Sequence, residues 1–275
     1  MATSGRGQAD ACCGGMSPIH LIRARLATRP LARWAGERGW TGGRFGGAFD
    51  QGRALHHLVD EMFGPGVLRP FRLLVPPRRS EGNLYAYSAL DGPQLQYAAH
   101  VQAKPDHLLV LPLDRLDSKP MPDNWTEGQR VGFDVRVRPV RRVGKPIDIS
   151  SGTIPAGSEL DAFVLEAIRC HPDDAEGMRA SERGREEVYL DWLSGRLHGA
   201  AELERDATRL VRFHRTVASR GRGAVEGPDA VVHGTLTILN REAFAQLLAR
   251  GIGRHRAYGY GMLLLSAPGR PAPDK

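Results

Sequence analysis

One order of periodicities runs through the chain twice. From Met16, "SPIHLIRARLAT" alternates apolar and polar residues, with Ile19, Leu21, Ala24 and Leu26 interrupted by His20, Arg23 and Arg25, and alternation at period two predicts a first strand. After the glycine-rich loop "GGRFGGAF", Asp50 is placed to cap a helix through "QGRALHHLVDEMF". "FRLLVPP" and "NLYAYSA" read as a hairpin pair, "DGPQLQYAAHV" as a short helix and "HLLVLPLDRL" as the strand that closes the unit. Then the order begins again. "RVGFDVRVRPVRR" is a strand with Phe133, Val135 and Val137 on one face and Asp134, Arg136 and Arg138 on the other. "SELDAFVLEAI" and "REEVYLDWLSGRL" carry helical apolar spacing, and "TRLVRFHRTVAS" pairs with "DAVVHGTLTIL" around the turn "RGRGAVEGP". "NREAFAQLLARGIG" is a helix opening at Asn240, and "YGMLLLSA" closes the second unit. A β-α-β-β-α-β order is the ferredoxin-like plan. The expected fold is therefore α+β, two tandem ferredoxin-like (RRM-like) domains over residues 16–130 and 131–268. Residues 1–15 read as a disordered extension before the more natural start at Met16, and 269–275 as a flexible tail.

Charge narrows the class of partner. Lys and Arg together number 38 against 31 Asp and Glu, a formal net charge of +7, and Lys occurs only at positions 104, 119, 145 and 275. The excess is thus arginine, whose planar fork suits phosphate and base edges, and the balance leans towards a polyanion. Cys12, Cys13 and Cys170 make neither a disulfide framework nor a metal-ligand spacing, and no Asp/Glu/His cluster has ligand spacing, so no metal or other cofactor is expected. That cysteine usage fits a reducing cytosol, and a cytoplasmic location is the expectation. No apolar run approaches the roughly 18 residues of a membrane span.

The segment "GIGRHRAYGYGMLLL", Gly251 to Leu265, tests that leaning. Dinucleotide and P-loop glycines follow a strand and open a helix, whereas these follow a helix and precede a strand, with no Lys-Ser/Thr after them. A mononucleotide cradle is excluded by that order. Thin backbone at Gly251 and Gly253 beside Arg254, His255 and Arg256 can instead cradle a nucleic-acid backbone. A glycine C-cap and close helix–strand packing explain the same glycines equally well.

On the helix "DQGRALHHLVDEMF", Leu55, Leu58, Val59, Met62 and Phe63 form one apolar stripe and belong in a core. His56 borders it, with Arg53 three residues before and Asp60 four after on the same side. A partly desolvated imidazole with a titratable neighbour works near neutral pH as general acid or base. From these residues alone, His56 and His57 as a surface pair on an amphipathic helix is the plainer reading. In the second unit Arg212, His214 and Thr216 share a strand face, as do His233, Thr235 and Thr237, and Arg220 and Arg222 sit at the hairpin tip. One sheet face is therefore polar and basic, which suits an RNA surface, a wet domain interface or a solvated face. Arg136, Arg138, Arg141, Arg142 and Lys145 form the densest basic run, either a second backbone contact or a soluble loop.

Taken together, "LHHLVDEMF", "REEVYLDWLSGRL", "LVRFHRT" and, most specific, "GIGRHRAYGYGMLLL", in that order along the chain, resemble the repeat-associated RAMP proteins of CRISPR systems, and most of all their CasE-type crRNA-processing endoribonucleases. The resemblance runs from Met16 to about Pro268. It implies metal-independent cleavage of precursor CRISPR RNA beside a repeat stem-loop, by 2′-OH attack, leaving a 2′,3′-cyclic phosphate and a 5′-OH. It also implies a proton-transfer role for His56, a grip on the stem by the hairpin of Arg212, His214, Arg220 and Arg222, and retention with the other subunits of a type I surveillance complex. Where that family carries a Tyr three residues before the histidine, this chain has Arg53, which can stabilise phosphate charge but not readily take a proton. His57, His255 and Tyr258 are reserve candidates, the last two also for stacking on a base. A RAMP-type crRNA-binding subunit without cleavage is the alternative that Arg53 favours.

Overall fold

The computed structural model describes residues 18–40, 49–150, 152–172, 174, 176–177, 183–220 and 223–269. The 1–15 extension, most of the first glycine-rich loop and most of the C-terminal tail lie outside them.

In the first half, β1 (His20–Ala27) leads through α1 (Thr28–Glu37) and α2 (Gln51–Phe63) to the hairpin of β2 (Phe71–Leu74) and β3 (Glu81–Ser88). Then α3 (Gly92–Gln102) and α4 (Pro105–Val110) lead back to β4 (Leu116–Pro120). The antiparallel order β2-β3-β1-β4 puts both crossovers on one sheet face, as the ferredoxin-like plan requires. Ile22, Ala24 and Leu26 of β1 bury on that face with Leu31, Trp34, Leu58, Met62, Leu95 and Val110 of the helices. Leu58 and Met62 have no exposed surface, and such burial contributes about 1.5–3 kcal/mol per side chain.

Two local expectations do not hold. Helix α1 has no marker in the chain: the alternation of β1 runs straight into "TRP", and no side chain caps the helix. Tertiary burial of Leu31, Trp34 and Ala35 at i, i+3 and i+4 forms it, and Pro30 sits in the first turn, where no donor is needed. The run "HLLVLPLDRL" is not the closing strand. Its apolar start is α4, with Pro105 at the helix entrance, and the strand is displaced to Leu116–Pro120. A short apolar run bounded by prolines fits a buried helix as well as a strand.

The second half repeats the plan. β5 (Arg130–Val137) is followed by two short ribbons, β6 (Val140–Arg142) with β9 (Glu159–Asp161) and β7 (Ile147–Ile149) with β8 (Gly152–Ile154). Helices α5 (Ala162–Cys170) and α6 (Arg185–Leu197), the short β10 (Ala201–Leu203), the long hairpin β11 (Arg209–Arg220) and β12 (Gly223–Ile238), helix α7 (Arg241–Arg250) and β13 (Leu263–Ser266) complete it. β12 and β13 flank β5, and β10 and β11 share the outer edge of β12. Asn240 caps α7 by accepting from the Ala243 N–H at 2.8 Å, as its sequence position predicts. Phe133, Val135 and Val137 face the α6 and α7 side chains in the second core.

The two halves are joined through the sheet faces that carry no helices of their own. Leu21, Leu74, Tyr85 and Tyr87, on the outer side of the first sheet, pack against the second core, and the Tyr87 hydroxyl donates to the Leu263 carbonyl at 2.8 Å. Arg72 of β2 forms an ion pair with Asp134 of β5, both nearly inaccessible at 3% and 1%. The polar face of β5 is thus alternating as its sequence says, yet covered rather than solvated. Among the described residues no helix is long and apolar enough to cross a membrane.

Candidate active site

Helix α2 starts where Asp50 accepts the Arg53 N–H at 3.0 Å, and its apolar stripe locks into the first core. That leaves His56 and His57 on its half-buried rim. One turn on, the Asp60 carboxylate lies 3.4 Å from His56 Nδ1. The chain then turns back, and the Gly66 N–H donates to the other Asp60 oxygen at 3.2 Å. Arg69 arrives beyond that turn, pairs with Asp60 and comes within 3.1 Å of His56 Nδ1. Both contacts are to Nδ1, so Nε2 is the nitrogen left for chemistry. A hydrogen on Nδ1 is received by Asp60 and gives Nε2 a lone pair; a bare Nδ1 accepts from Arg69 and puts the hydrogen on Nε2. Burial lowers the His56 pKa; Asp60 opposes that shift, and Arg69 and His57 add to it. Burial thus favours the neutral imidazole, the form that can take a proton.

Arg53 takes a different position from the one its spacing suggests. Its guanidinium lies over the Trp40 ring, 5.3 Å from the centroid, and Trp40 in turn leans on His57 with centroids 4.4 Å apart. Burial, then Arg53, lowers the pKa of His57, with Glu61 and Asp60 opposing. A cation that sequence spacing does not offer, Arg69, reaches Nδ1 of His56. Nothing in the local spacing marks Arg69, because it reaches the helix only after a loop turning through Gly64 and Gly66, both at positive φ.

The glycine-rich segment closes into a loop. Gly251 ends α7 with its N–H on the Leu247 carbonyl, the Ile252 N–H donates to Gly261 O, and the Gly261 N–H donates to Arg136 O of β5, each at 2.7 Å. Gly261 has φ +79°, and a Cβ there would stand 2.1 Å from the Ile252 carbonyl oxygen, so any side chain would open the closure. A single 3-10 turn over Arg256–Tyr258 rests on α2, where Gly52 admits it: a Cβ on Gly52 would lie 2.7 Å from Tyr258 O. The Tyr258 ring meets His56 edge-on, centroids 5.2 Å apart. The segment read as an RNA cradle thus also forms one wall of the His56 site.

Its basic residues have distinct placements. Arg254 pairs with Glu159 of β9, and His255, whose side chain is 3% exposed, turns inward to the same carboxylate with Nε2 at 3.3 Å. Arg256 is exposed and donates to the Arg250 carbonyl at 2.6 Å. Gly251 lies against Pro70 and Gly253 against Trp192.

A basic surface continues from this turn along the second sheet. Arg136 lies 4.4 Å over Tyr260 and donates to Asp229 at 2.8 Å. Burial works against the Asp229 charge, but Arg136 outweighs it and holds the carboxyl below its ordinary range. Directly across the hairpin from Asp229 is His214, and Arg212 and His214 are both exposed. The irregular register between Leu210 and Arg212 is a bulge, a device that re-aims the following side chains. Arg220 pairs in register with Gly223 at the far end of the hairpin, and Arg222 lies outside the described residues. On β12, His233 Nε2 lies 3.1 Å from Asp134, so that part of the polar face is internal.

Residues 19–267 match the family model described as CRISPR associated protein. Among solved structures, the CRISPR endoribonuclease Cse3 bound to a 19-nucleotide RNA is similar with a TM-score of 0.58 at 15% identity, over 91% of this chain and 100% of that one. The CRISPR-associated protein Cas6e from Escherichia coli str. K-12 gives 0.51 at 16% identity, over 90% and 99%. A chain of a CRISPR RNA-guided surveillance complex, pre-nicking, gives 0.50 at 15% identity, over 90% and 99%. At such identities the likeness is one of fold. No curated protein sequence matches the chain.

Proposed function

The chain belongs to the CRISPR-associated protein family, and on that premise we propose that it is an endoribonuclease that cuts precursor CRISPR RNA within each repeat. The single observation that carries this reading is the setting of His56: a half-buried imidazole held at Nδ1 by Asp60 and Arg69, at the point where the second domain's glycine-rich turn meets α2. RNA brings its own nucleophile, the 2′-OH, so the protein has to move protons and stabilise phosphate charge. His56 takes the proton-transfer role, and a 2′,3′-cyclic phosphate and a 5′-OH are the products. Arg69 and Arg53 supply positive charge on either side of the two histidines.

RNA runs along the basic surface described above. Arg212, His214, Arg220 and Arg222 grip the stem, and Gly251, Gly253, Arg254, His255 and Arg256 form the turn under its base, with exposed Arg256 the most direct backbone contact. The domains over residues 16–130 and 131–268 share the work: the first carries His56 and the second most of the RNA contacts. Solved relatives of the same fold are an RNA-bound endoribonuclease and a chain of a surveillance complex, which supports repeat RNA and the other subunits of such a complex as partners.

Incubation of the purified chain with its own repeat RNA in EDTA tests the reading. His56→Ala is expected to lower the single-turnover rate by about 10²–10⁴-fold with binding retained. Binding without any cleavage by the wild-type chain would instead support a non-catalytic crRNA-binding subunit, the reading favoured by Arg53 standing where the family carries a Tyr.

A further inference from the structure

We propose that Tyr258 is the general acid of the reaction, giving its phenolic proton to the departing 5′-oxygen while His56 takes the proton of the 2′-OH. The proposal rests on the endoribonuclease reading and supplies its second catalytic group.

The chemistry asks for two groups. In an in-line displacement at phosphorus the attacking and leaving oxygens stand on opposite sides, so one imidazole cannot serve both at once. The leaving group is an alkoxide, which departs slowly unless it is protonated as the bond breaks. The second group must therefore be a separate proton donor that reaches the leaving oxygen while His56 serves the attacking one.

Most neighbours of His56 do not meet that need. Arg53 and Arg69 carry delocalised guanidinium forks, which stabilise phosphate charge rather than supply a proton. Asp60 is occupied by Arg69 and the Gly66 N–H. His57 is next to His56 on the same helix and leans on Trp40. Tyr258 comes from the other domain, with its ring edge-on to His56 at 5.2 Å between centroids.

Three further observations set Tyr258 apart. Of the six tyrosines, Tyr258 is the one whose ring meets His56. While the hydroxyls of Tyr87, Tyr189 and Tyr260 are engaged by Leu263 O, Asp161 with Arg185, and Arg136 respectively, that of Tyr258, like those of Tyr85 and Tyr97, has no hydrogen bond to a described residue. Its side chain is half-buried, so it is both held and reachable. Its backbone is fixed by the Tyr258 N–H on His255 O at 2.8 Å and by the close approach over Gly52. Gly52 lies in the first turn of α2, and its missing Cβ is what admits this turn.

In the proposed step the O2′–P bond forms and the P–O5′ bond breaks. His56 ends as imidazolium and Tyr258 as phenolate, and solvent carries the proton from the first to the second before the next turnover. The active centre is then complete only when both domains are in contact.

The test is single-turnover cleavage of repeat RNA in EDTA by the wild-type chain, Tyr258→Phe and His56→Ala. Each is assayed on all-oxygen RNA and on RNA with sulfur in place of the scissile 5′-bridging oxygen, alongside equilibrium binding. Phenylalanine keeps the ring against His56, so a purely structural tyrosine would lose nothing. The expected result is a rate about 10²-fold lower or more for Tyr258→Phe on all-oxygen RNA, with unchanged affinity. On the sulfur RNA, whose thiolate leaves without a proton, Tyr258→Phe should match wild type while His56→Ala stays slow. A full rate on all-oxygen RNA, or an equal defect on both RNAs, overturns the role of Tyr258 alone. A wild-type chain that leaves both RNAs intact overturns the endoribonuclease reading and this role together.

Discussion

The carboxylate of Asp60 and the guanidinium of Arg69 converge on one nitrogen, Nδ1 of His56, at 3.4 and 3.1 Å. One partner accepts a hydrogen from that nitrogen and the other gives one to it. Together they decide which form of the ring faces the substrate, and their charges pull its pKa in opposite directions, with Asp60 raising it and Arg69 lowering it against a larger lowering by burial.

A pH dependence follows from those signs. A general base works in its unprotonated form, so cleavage rises as pH passes upward through the His56 pKa. Because burial sets that pKa below the ordinary 6.5, the midpoint of the acid limb in a single-turnover profile is expected below pH 6.5. Asp60→Asn removes the one group that raises the pKa and is expected to move the midpoint lower still. A midpoint above 6.5, or no movement with Asp60→Asn, contradicts the assignment of the limb to His56.

Domain contact has an electrostatic keystone in Arg72 and Asp134, 3% and 1% exposed. Burial pulls the Arg72 pKa down, and Asp134 is the main group holding the charge in place. Asp134→Ala strands a buried guanidinium, an effect of about 3–5 kcal/mol in comparable pairs. Urea denaturation is expected to show that loss, and the double variant Arg72→Leu with Asp134→Leu to recover much of it.

Two helix glycines make opposite predictions. Gly195 in α6 has no atom within 4 Å of a would-be Cβ, so Gly195→Ala is expected to stabilise the chain by about 0.5–1 kcal/mol. At Gly52 the Cβ would meet the Tyr258 carbonyl oxygen at 2.7 Å, and overpacking of about 1–3 kcal/mol exceeds the gain in propensity. Gly52→Ala is expected to lower the melting temperature and to slow cleavage more than it weakens binding, as the turn is pushed off His56.

Arg256 offers a test of the RNA path by salt. Removing one cation that neutralises a phosphate lowers the slope of log affinity against log salt by about 0.7–0.9. Arg256→Gln is expected to reduce the slope by about that much, with affinity weakened alike for different repeat sequences. Arg254→Gln is expected to change it less, because Glu159 already pairs with that guanidinium.

Much of this arrangement is legible in the chain. The alternation of Phe133, Val135 and Val137 places the central strand of the second domain, and Asp50 and Asn240 mark helix starts that the structure keeps. The helix–glycine–strand order of "GIGRHRAYGYG" excludes a nucleotide loop without any coordinates. Less is visible where a local pattern permits two answers, as at "HLLVLPLDRL", or where burial rather than capping makes the helix, as at Trp34.

The sequence by itself determined the two ferredoxin-like units, the arginine-rich balance and the helix face on which His56 lies, because those depend on periodicity, composition and spacing along one element. Tertiary structure alone decided that Arg69 reaches Nδ1 of His56 while Arg53 lies over Trp40, that His255 turns inward to Glu159, and that Tyr258 crosses from the second domain to the first. Such contacts join residues separated by loops or by most of the chain. Their distances are set by how two sheets pack, where positive-φ glycines let the backbone close, and which charges must pair once water is excluded. Helical spacing of 3.6 residues carries no record of any of these.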